Sequence, residues 1–492
     1  MTRKGAVDIF DASILPADPQ FPSGFIAKIL RKNRSLVVKI RQVNYEVINK
    51  KIIFVERQQL YEMKKNISFY PWTVVGMLWV VALLNYLDRQ MLSTMQYSIG
   101  LSIPAIQDPV NFGRLMAIFL WIYGCVSPVS GAIGDKLNRK WLIVGSLGVW
   151  SVITMLMSYC TTYHGIYILR GLMGISEALY LPAALSLIAD YFTGKSRSLA
   201  IGVHMTGLYT GQALGGFGAT VAALFSWQDT FFWFGIGGVI YALILCVFLK
   251  EKRQEVQADY GETGTKVENK IPLLKGFAMI FSSISFWVIL FFFSSSSLPG
   301  WSTKNWLPTL FAENLGLTPE VAGPMATISI AVASFIGVMF GGSLSDRWVR
   351  KNIKGRLYTS SIGLGLMIPT LVLIGLSHDA VTTIGVSVLF GVGYGMFDAN
   401  NMPILCQFIP ARLRATAYGL LNMTGVFAGA LVTQILGDWA QEGDLGLGFA
   451  YMAAILVVAI FLQLTVLKPT SDDMKMEDLK NIRKEEISLD VN

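Results

Sequence analysis

The sequence predicts an all-α membrane protein with twelve transmembrane helices in two pseudo-symmetric six-helix bundles. Three observations carry that expectation. Of 492 residues, 53% are hydrophobic and only 15% are charged, against about 25% charged in a soluble domain. Runs such as Ile143–Cys160 and Phe231–Leu249 hold no charge over about the length a bilayer requires. One loop motif occurs twice, as Gly131-Ala-Ile-Gly-Asp135-Lys-Leu-Asn-Arg139-Lys140 and as Gly342-Ser-Leu-Ser-Asp346-Arg-Trp-Val-Arg350-Lys351.

Residues 1–62 are mixed polar and basic and lack the apolar core of a signal peptide. They read as a cytoplasmic extension, either dispensable or joined upstream by a misplaced start codon ahead of Met63-Lys64-Lys65. Twelve apolar segments follow, near 71–101, 111–133, 140–160, 164–191, 198–225, 229–249, 276–298, 319–345, 357–377, 380–408, 413–438 and 446–468. Each is a helix, because only a helix satisfies its own backbone in lipid; barrel strands would be shorter and would alternate. The domains are therefore an N-terminal bundle at 63–250, a charged cytoplasmic linker at 251–275, a C-terminal bundle at 276–468 and a cytoplasmic tail at 469–492.

The loops set the orientation. Lys136, Arg139 and Lys140 follow helix 2, Lys195 and Arg197 follow helix 4, and Arg347, Arg350, Lys351, Lys354 and Arg356 follow helix 8. Arg412 and Arg414 follow helix 10, whereas the alternate loops hold no Lys or Arg. That asymmetry places the basic loops and both termini in the cytoplasm of a multi-pass protein in the cell's inner membrane. It also explains the net charge of +8 without a nucleic-acid partner. Cys125, Cys160, Cys246 and Cys406 sit at unrelated spacings in apolar segments and read as small core residues.

Charged residues at membrane depth are functional candidates, because burying them unpaired costs several kcal/mol. Asp88 and Arg89 lie within helix 1, and Arg170 and Glu177 lie seven residues apart on one face of helix 4. Two acids and two bases on adjacent helices form either a static ion network or a switch, in which protonating one carboxylate frees an arginine for an anion. Ser294–Gly300 reads as a break in helix 7, with Lys304 on its outer side, either attracting anions or simply solvated. Helix 10 is bendable through Gly391, Gly393, Gly395 and Pro403, and its Asp398, Asn400 and Asn401 either line a cavity or tie the bent backbone. His204 and Gln212 share a face of helix 5, towards either a cavity or packing. Small residues four apart, Gly207/Gly211/Gly215, Gly337/Gly341 and Gly425/Gly429, suit close packing at gates. No Gly-x-x-x-x-Gly-Lys-[Ser/Thr] loop points to an ATP motor, and His164, His204 and His378 are too dispersed for a metal-hydrolase site. No enzyme activity and no cofactor are expected.

The two Gly-x-x-x-Asp-[Arg/Lys]-x-x-Arg-[Arg/Lys] loops, placed after helices 2 and 8, resemble the signature loops of the major facilitator superfamily. Asn85-Tyr86-Leu87-Asp88-Arg89, Phe119-Leu-Trp-Ile-Tyr123, Arg170-Gly-Leu-Met-Gly-Ile-Ser-Glu177-Ala178 and Trp306-Leu-Pro-Thr309 resemble its anion:cation symporters, the sugar-acid, hexuronate and sialic acid carriers. The resemblance implies the major facilitator fold, alternating access and a small organic anion as substrate. It implies that Asp88 and Glu177 couple a proton, with sodium as the alternative ion. Arg89 would then grip the substrate carboxylate, Arg170 would organise the pair and Tyr123 would line the substrate site; Asn400 and Asn401, read from helix 10 itself, are further candidates for that lining. Gly131, Asp135, Arg139, Gly342, Asp346 and Arg350 would form loops that latch the outward-facing state. The partners implied are the bilayer and the substrate, with the chain acting as a monomer. The helix 4 motif also resembles spinster-like lipid carriers, so a lipid carrier or drug exporter is the competing reading. Helix 5 lacks the family's antiporter Gly-Pro element, which favours symport.

Overall fold

The structure, a computed structural model, describes residues 70–251 and 278–469 except for 193 and 411–412. The expected extension 1–62 lies outside the described residues, as do all but the first residue of the linker and of the tail. Twelve long helices are present among them. In chain order they are α1 (Tyr70–Thr94), α2 (Pro109–Lys136), α3 (Arg139–Met157), α4 (Tyr163–Tyr191), α5 (Gly194–Gly215) and α6 (Trp227–Phe248). The second six are α7 (Ile284–Leu315), α8 (Pro319–Val349), α9 (Gly355–Leu376), α10 (Ala380–Asp398), α11 (Arg414–Glu442) and α12 (Leu445–Val466). Short helices Gln96–Ser102, Gly218–Leu224 and Asn401–Phe408 continue α1, α5 and α10.

Eleven spans are long and apolar enough to cross a bilayer. The exception is α5, whose Lys195, Arg197, His204, Tyr209, Thr210 and Gln212 lower its hydropathy. It belongs in the set because it packs along α1 and beside α8. The most apolar helices lie outermost: on α6, Trp233, Ile240, Leu243 and Val247 are exposed, Val247 by 71%. In water such a stripe would be a liability; in hydrocarbon it is the required surface.

Within each half, glycines set the helix spacing. A side chain at Gly207 or Gly215 would run into the carbonyl oxygen of Trp79 or Leu87, and one at Gly211 into that of Leu83. The four-residue ridges of α5 and α1 thus interlock in register. Gly337 and Gly341 meet Val392 and Met396 of α10, and Gly425 and Gly429 meet Phe293 and Trp301 of α7. These small-residue faces therefore hold each half together. In this structure they pack within a half, where the sequence pattern suggested packing at gates.

Helix α7 is a second correction. It is continuous over 32 residues where a break was expected at Ser294–Gly300. The hydroxyls of Ser296, Ser297, Ser302 and Thr303 fold back on carbonyls one turn earlier, at 2.8–2.9 Å, and hold the helix through Pro299. Pro308 has no N–H to donate, so the carbonyl of Lys304 loses its helical partner. Gln90 of α1 supplies one, its Nε2 donating to that oxygen at 2.7 Å. Helix α10 does break, at Ala399–Asn400, four residues before Pro403.

The halves meet through α2 with α11 and α5 with α8. On the face away from the basic loops the halves touch beside a pocket of about 400 Å³ lined by Gln96, Pro109 and Thr309. Phe112 packs edge-on against Trp306 with centroids 5.6 Å apart. Thr309 Oγ1 lies 3.4 Å from Gln96 Oε1, and Thr220 donates to the Glu320 carbonyl at 2.8 Å. Towards the basic loops, the last described hydrogen bond between halves is Asn422 Nδ2 to Ser127 Oγ, 3.1 Å. Beyond it, the described ion pairs stay within a half: Arg139 with Asp190, and Arg356 Nη2 with Asp346 Oδ1 at 2.9 Å.

The α1–α5 packing generates a test. Gly207→Val should cost about 1–3 kcal/mol by overpacking and lower the melting temperature of the purified protein in detergent. Gly365→Ala, with no atom within 4 Å of its would-be Cβ, should leave melting unchanged. Equal behaviour of the two variants would show that the helix spacing is not set by these contacts.

Candidate functional site

The N-terminal half gathers the expected charged residues. Arg89 Nε donates to Glu177 Oε2 at 2.5 Å, between α1 and α4. The Glu177 side chain is fully buried, and its Oε1 has no hydrogen-bond partner. The Arg89 guanidinium lies 5.1, 4.7 and 4.9 Å from the ring centroids of Tyr86, Phe119 and Tyr123. Those faces supply negative potential to a cation withdrawn from water. Arg170 is 2% exposed and stacks 4.5 Å from the Phe119 centroid. Its Nη1 lies 3.1 Å from Met173 Sδ, while its Nε has no partner. Tyr123 thus serves as a ring beneath Arg89 and is absent from the cavity lining described below.

Asp88 points the other way, towards α3. Its Oδ2 accepts from Thr154 Oγ1 at 2.5 Å and its Oδ1 has no partner. The two acids are therefore held differently: Glu177 by an arginine, Asp88 by a hydroxyl. Thr154 was not foreseen, since nothing in its sequence context marks it. Gly174 lets α4 and α2 approach, because a Cβ there would lie 2.7 Å from the Phe119 carbonyl oxygen.

Between the halves lies a cavity of about 270 Å³. Its polar lining includes Tyr86, Tyr209, Gln212, Lys304, Asp398 and Asn401, and it extends towards Met402, Pro403 and Tyr418. Lys304 is not solvated beyond a break. It lies mid-helix because α7 is continuous, and its Nζ sits 4.7 Å from the Trp301 centroid and 5.7 and 5.8 Å from those of Tyr86 and Tyr394. Asp398 accepts from Tyr209 Oη and from Asn401 Nδ2, each at 3.2 Å. Asn401 lines the cavity. Asn400 is fully buried and donates to the Met396 carbonyl at 2.8 Å; it ties the α10 bend. Lys304 also borders a narrower gap together with Arg89 and Arg170. That gap shares Tyr86, Trp301 and Lys304 with the cavity lining. Of the helix 5 pair, Gln212 reaches the cavity, whereas His204 is buried 6.1 Å from the Tyr180 ring.

The signature loops are partly described. Gly131 and Asp135 belong to the last turns of α2, but their side chains lie outside the described residues. Asp346 lies inside α8, which runs on to Val349, and not past its end as expected; its carboxylate binds Arg356 at the start of α9. Arg350 caps α8 and is exposed, and Gly342 has open space around it. Arg139 opens α3, pairs with Asp190, and its backbone N–H, with that of Lys140, donates to Glu251 at 3.3 and 2.8 Å.

The Major Facilitator Superfamily model matches residues 78–433. The chain belongs to that superfamily. This member is a multi-pass membrane transporter and not an enzyme. It is 27% identical to a hexuronate transporter of Bacillus subtilis over 78% of this chain and 93% of that one. It is 25% identical to a D-galactonate transporter of Escherichia coli over 78% and 92%. Among solved structures, a bacterial homologue of the human lysosomal transporter Spinster superposes with a TM-score of 0.69 at 18% identity, over 82% of this chain and 99% of that one.

The ion pair can be tested without a substrate. Removing one partner of a buried pair costs about 3–5 kcal/mol, whereas replacing both with apolar groups is often near neutral. Glu177→Met alone should lower the unfolding midpoint in detergent, and adding Arg89→Met should restore most of the loss. Additive losses would show that the two side chains are not energetically coupled.

Proposed function

We propose that this transporter moves a small organic anion of the sugar-acid class by alternating access, coupled to a proton. The observation that supports this reading best is the Arg89–Glu177 pair, 2.5 Å apart, whose Arg89 lines a narrow gap together with Lys304, a residue of the central cavity. With Glu177 ionised, Arg89 is neutralised internally. Protonating Glu177 removes that partner and leaves a guanidinium able to take a carboxylate from a ligand. Proton and anion then enter as one nearly neutral load. Asp88, held by Thr154, is the second coupling carboxylate. The sugar-acid relatives agree with this chemistry, and a neutral lipid would have no need of buried cations. The basic loops assign their face to the cytoplasm, so both termini are cytoplasmic, the protein sits in the cell membrane and the cavity opens inward.

Transport in proteoliposomes tests the scheme. An inward proton gradient should drive accumulation of D-galactonate or a hexuronate, and a protonophore should abolish accumulation while sparing exchange. Glu177→Gln, a mimic of the protonated acid, should keep counterflow and lose uphill uptake. Accumulation driven by sodium without a proton gradient would exclude proton coupling, and uptake of lysolipids with no response to sugar acids would favour the lipid-carrier reading.

Arg89→Lys should weaken binding of the acid by about ten- to a hundredfold, or about 1.5–3 kcal/mol, because an ammonium cannot reproduce the planar fork of donors. Unchanged binding in this variant would remove Arg89 from the carboxylate site.

A further inference from the structure

We infer that the C-terminal half carries a second recognition element, in which Lys304 receives the substrate carboxylate and Asp398 with Asn401 reads neighbouring hydroxyls. The inference rests on the organic-anion reading and names which residues choose the anion.

Four observations carry it. Lys304 and Asp398 are the charged residues lining the 270 Å³ cavity. Among the described residues, Lys304 has no carboxylate within ion-pair distance. Its ammonium is instead surrounded by the rings of Trp301, Tyr86 and Tyr394, which leave its N–H donors unclaimed. In contrast, Arg89 is already engaged by Glu177. An anion arriving in this state therefore meets Lys304 as the available cation. Lys304 also borders the gap lined by Arg89 and Arg170, so a carboxylate held there stands next to the guanidinium that Glu177 would release.

Asp398 supplies the other end. Each of its oxygens accepts one hydrogen bond, from Tyr209 and from Asn401. A carboxylate has about four lone-pair sites, so acceptor capacity remains. An acceptor surrounded by further polar side chains suits hydroxyl donors, and in its ionised form it repels a second carboxylate. The cavity is slightly smaller than the roughly 300–1,000 Å³ of drug-sized sites, which fits a monosaccharide-sized ligand better than a lipid. Tyr209 belongs to α5 and Asp398 to α10, so a hydroxyl competing for Asp398 acts on a contact between the two halves. The preferred substrate is a polyhydroxy monocarboxylate, with its carboxylate at Lys304 and its hydroxyls at Asp398.

Binding to the purified full chain in detergent, with D-galactonate, D-glucarate and hexanoate as probes, decides the matter. The parent should bind D-galactonate at least about tenfold more tightly than hexanoate, which lacks hydroxyls, and more tightly than D-glucarate, whose second carboxylate would face Asp398. Lys304→Gln should weaken D-galactonate binding about ten- to a hundredfold, and Lys304→Arg should retain it. Asp398→Asn should narrow the gap between D-galactonate and D-glucarate. Equal binding of D-galactonate and hexanoate by the parent overturns the hydroxyl reading without any variant, and unchanged binding in Lys304→Gln overturns the carboxylate reading while leaving organic-anion transport intact. Failure of the parent to bind any of the three acids would overturn both this inference and the function on which it rests.

Discussion

Hydrocarbon tolerates almost no unsatisfied polarity, and this constraint organises the whole molecule. A charge at the centre of a helix crossing the bilayer costs about 3 kcal/mol even by the mildest scale, and an unpaired backbone group is similarly unwelcome. The charged groups buried in the N-terminal half are therefore placed against rings, hydroxyls and one another. Arg89 spends its Nε on Glu177 and its face on three aromatic rings. Arg170 shares the Phe119 ring with it, and Asp88 leans on Thr154. What remains is informative: one oxygen of each acid and one nitrogen of Arg170 have no partner. Groups so lightly committed to one another fit a set that exchanges partners during a cycle.

The same constraint governs the backbone. Pro308 in α7 orphans the Lys304 carbonyl, and the structure answers with Gln90 from the other half. A proline in one bundle thus creates a hydrogen bond between bundles. Pro403 in α10 acts differently: the helix breaks, and Asn400 turns inward to hold the Met396 carbonyl. The break releases Asp398 and Asn401 to face the cavity. Sites of missing backbone bonds and sites of exposed polar chemistry coincide, as expected where irregular backbone lines a cavity in a membrane protein.

Much of this was legible in the sequence. The spans were, because apolar runs of bilayer length admit one secondary structure, and the two bundles were, because the signature loop recurs. The Arg89–Glu177 cluster was found because charge in an apolar run is conspicuous. Two kinds of feature were not legible. Helix α7 reads as broken since serines, proline and glycine are helix-breakers in water, whereas in lipid the hydroxyls fold back on the helix and preserve it. That error displaced Lys304 from the cavity, because a residue past a break would be solvated. The partners of individual groups were also hidden. Thr154 is an ordinary threonine in an apolar helix until the packing of α3 on α1 brings it to Asp88, and Asn400 differs from Asn401 only by the turn of the bend. Sequence marks which residues carry charge; tertiary packing decides which face each other.

The two halves divide the chemistry unequally despite their common architecture. The N-terminal half holds two acids and two bases, formally neutral, with Arg89 paired to Glu177 and Asp88 turned towards Thr154. The C-terminal half places Lys304 and Asp398 apart on the cavity wall, again formally neutral but unpaired. Adding an anion alone would leave the combined site with net negative charge in a low-dielectric space, which is costly. Adding a proton alone to Glu177 would leave an uncompensated guanidinium, equally costly. Adding both restores balance. In the proposed cycle, coupling therefore needs no dedicated wire between the halves. It follows from two neutral charge sets on opposite sides of one cavity, neither of which can accept a charged ligand without the other's compensation.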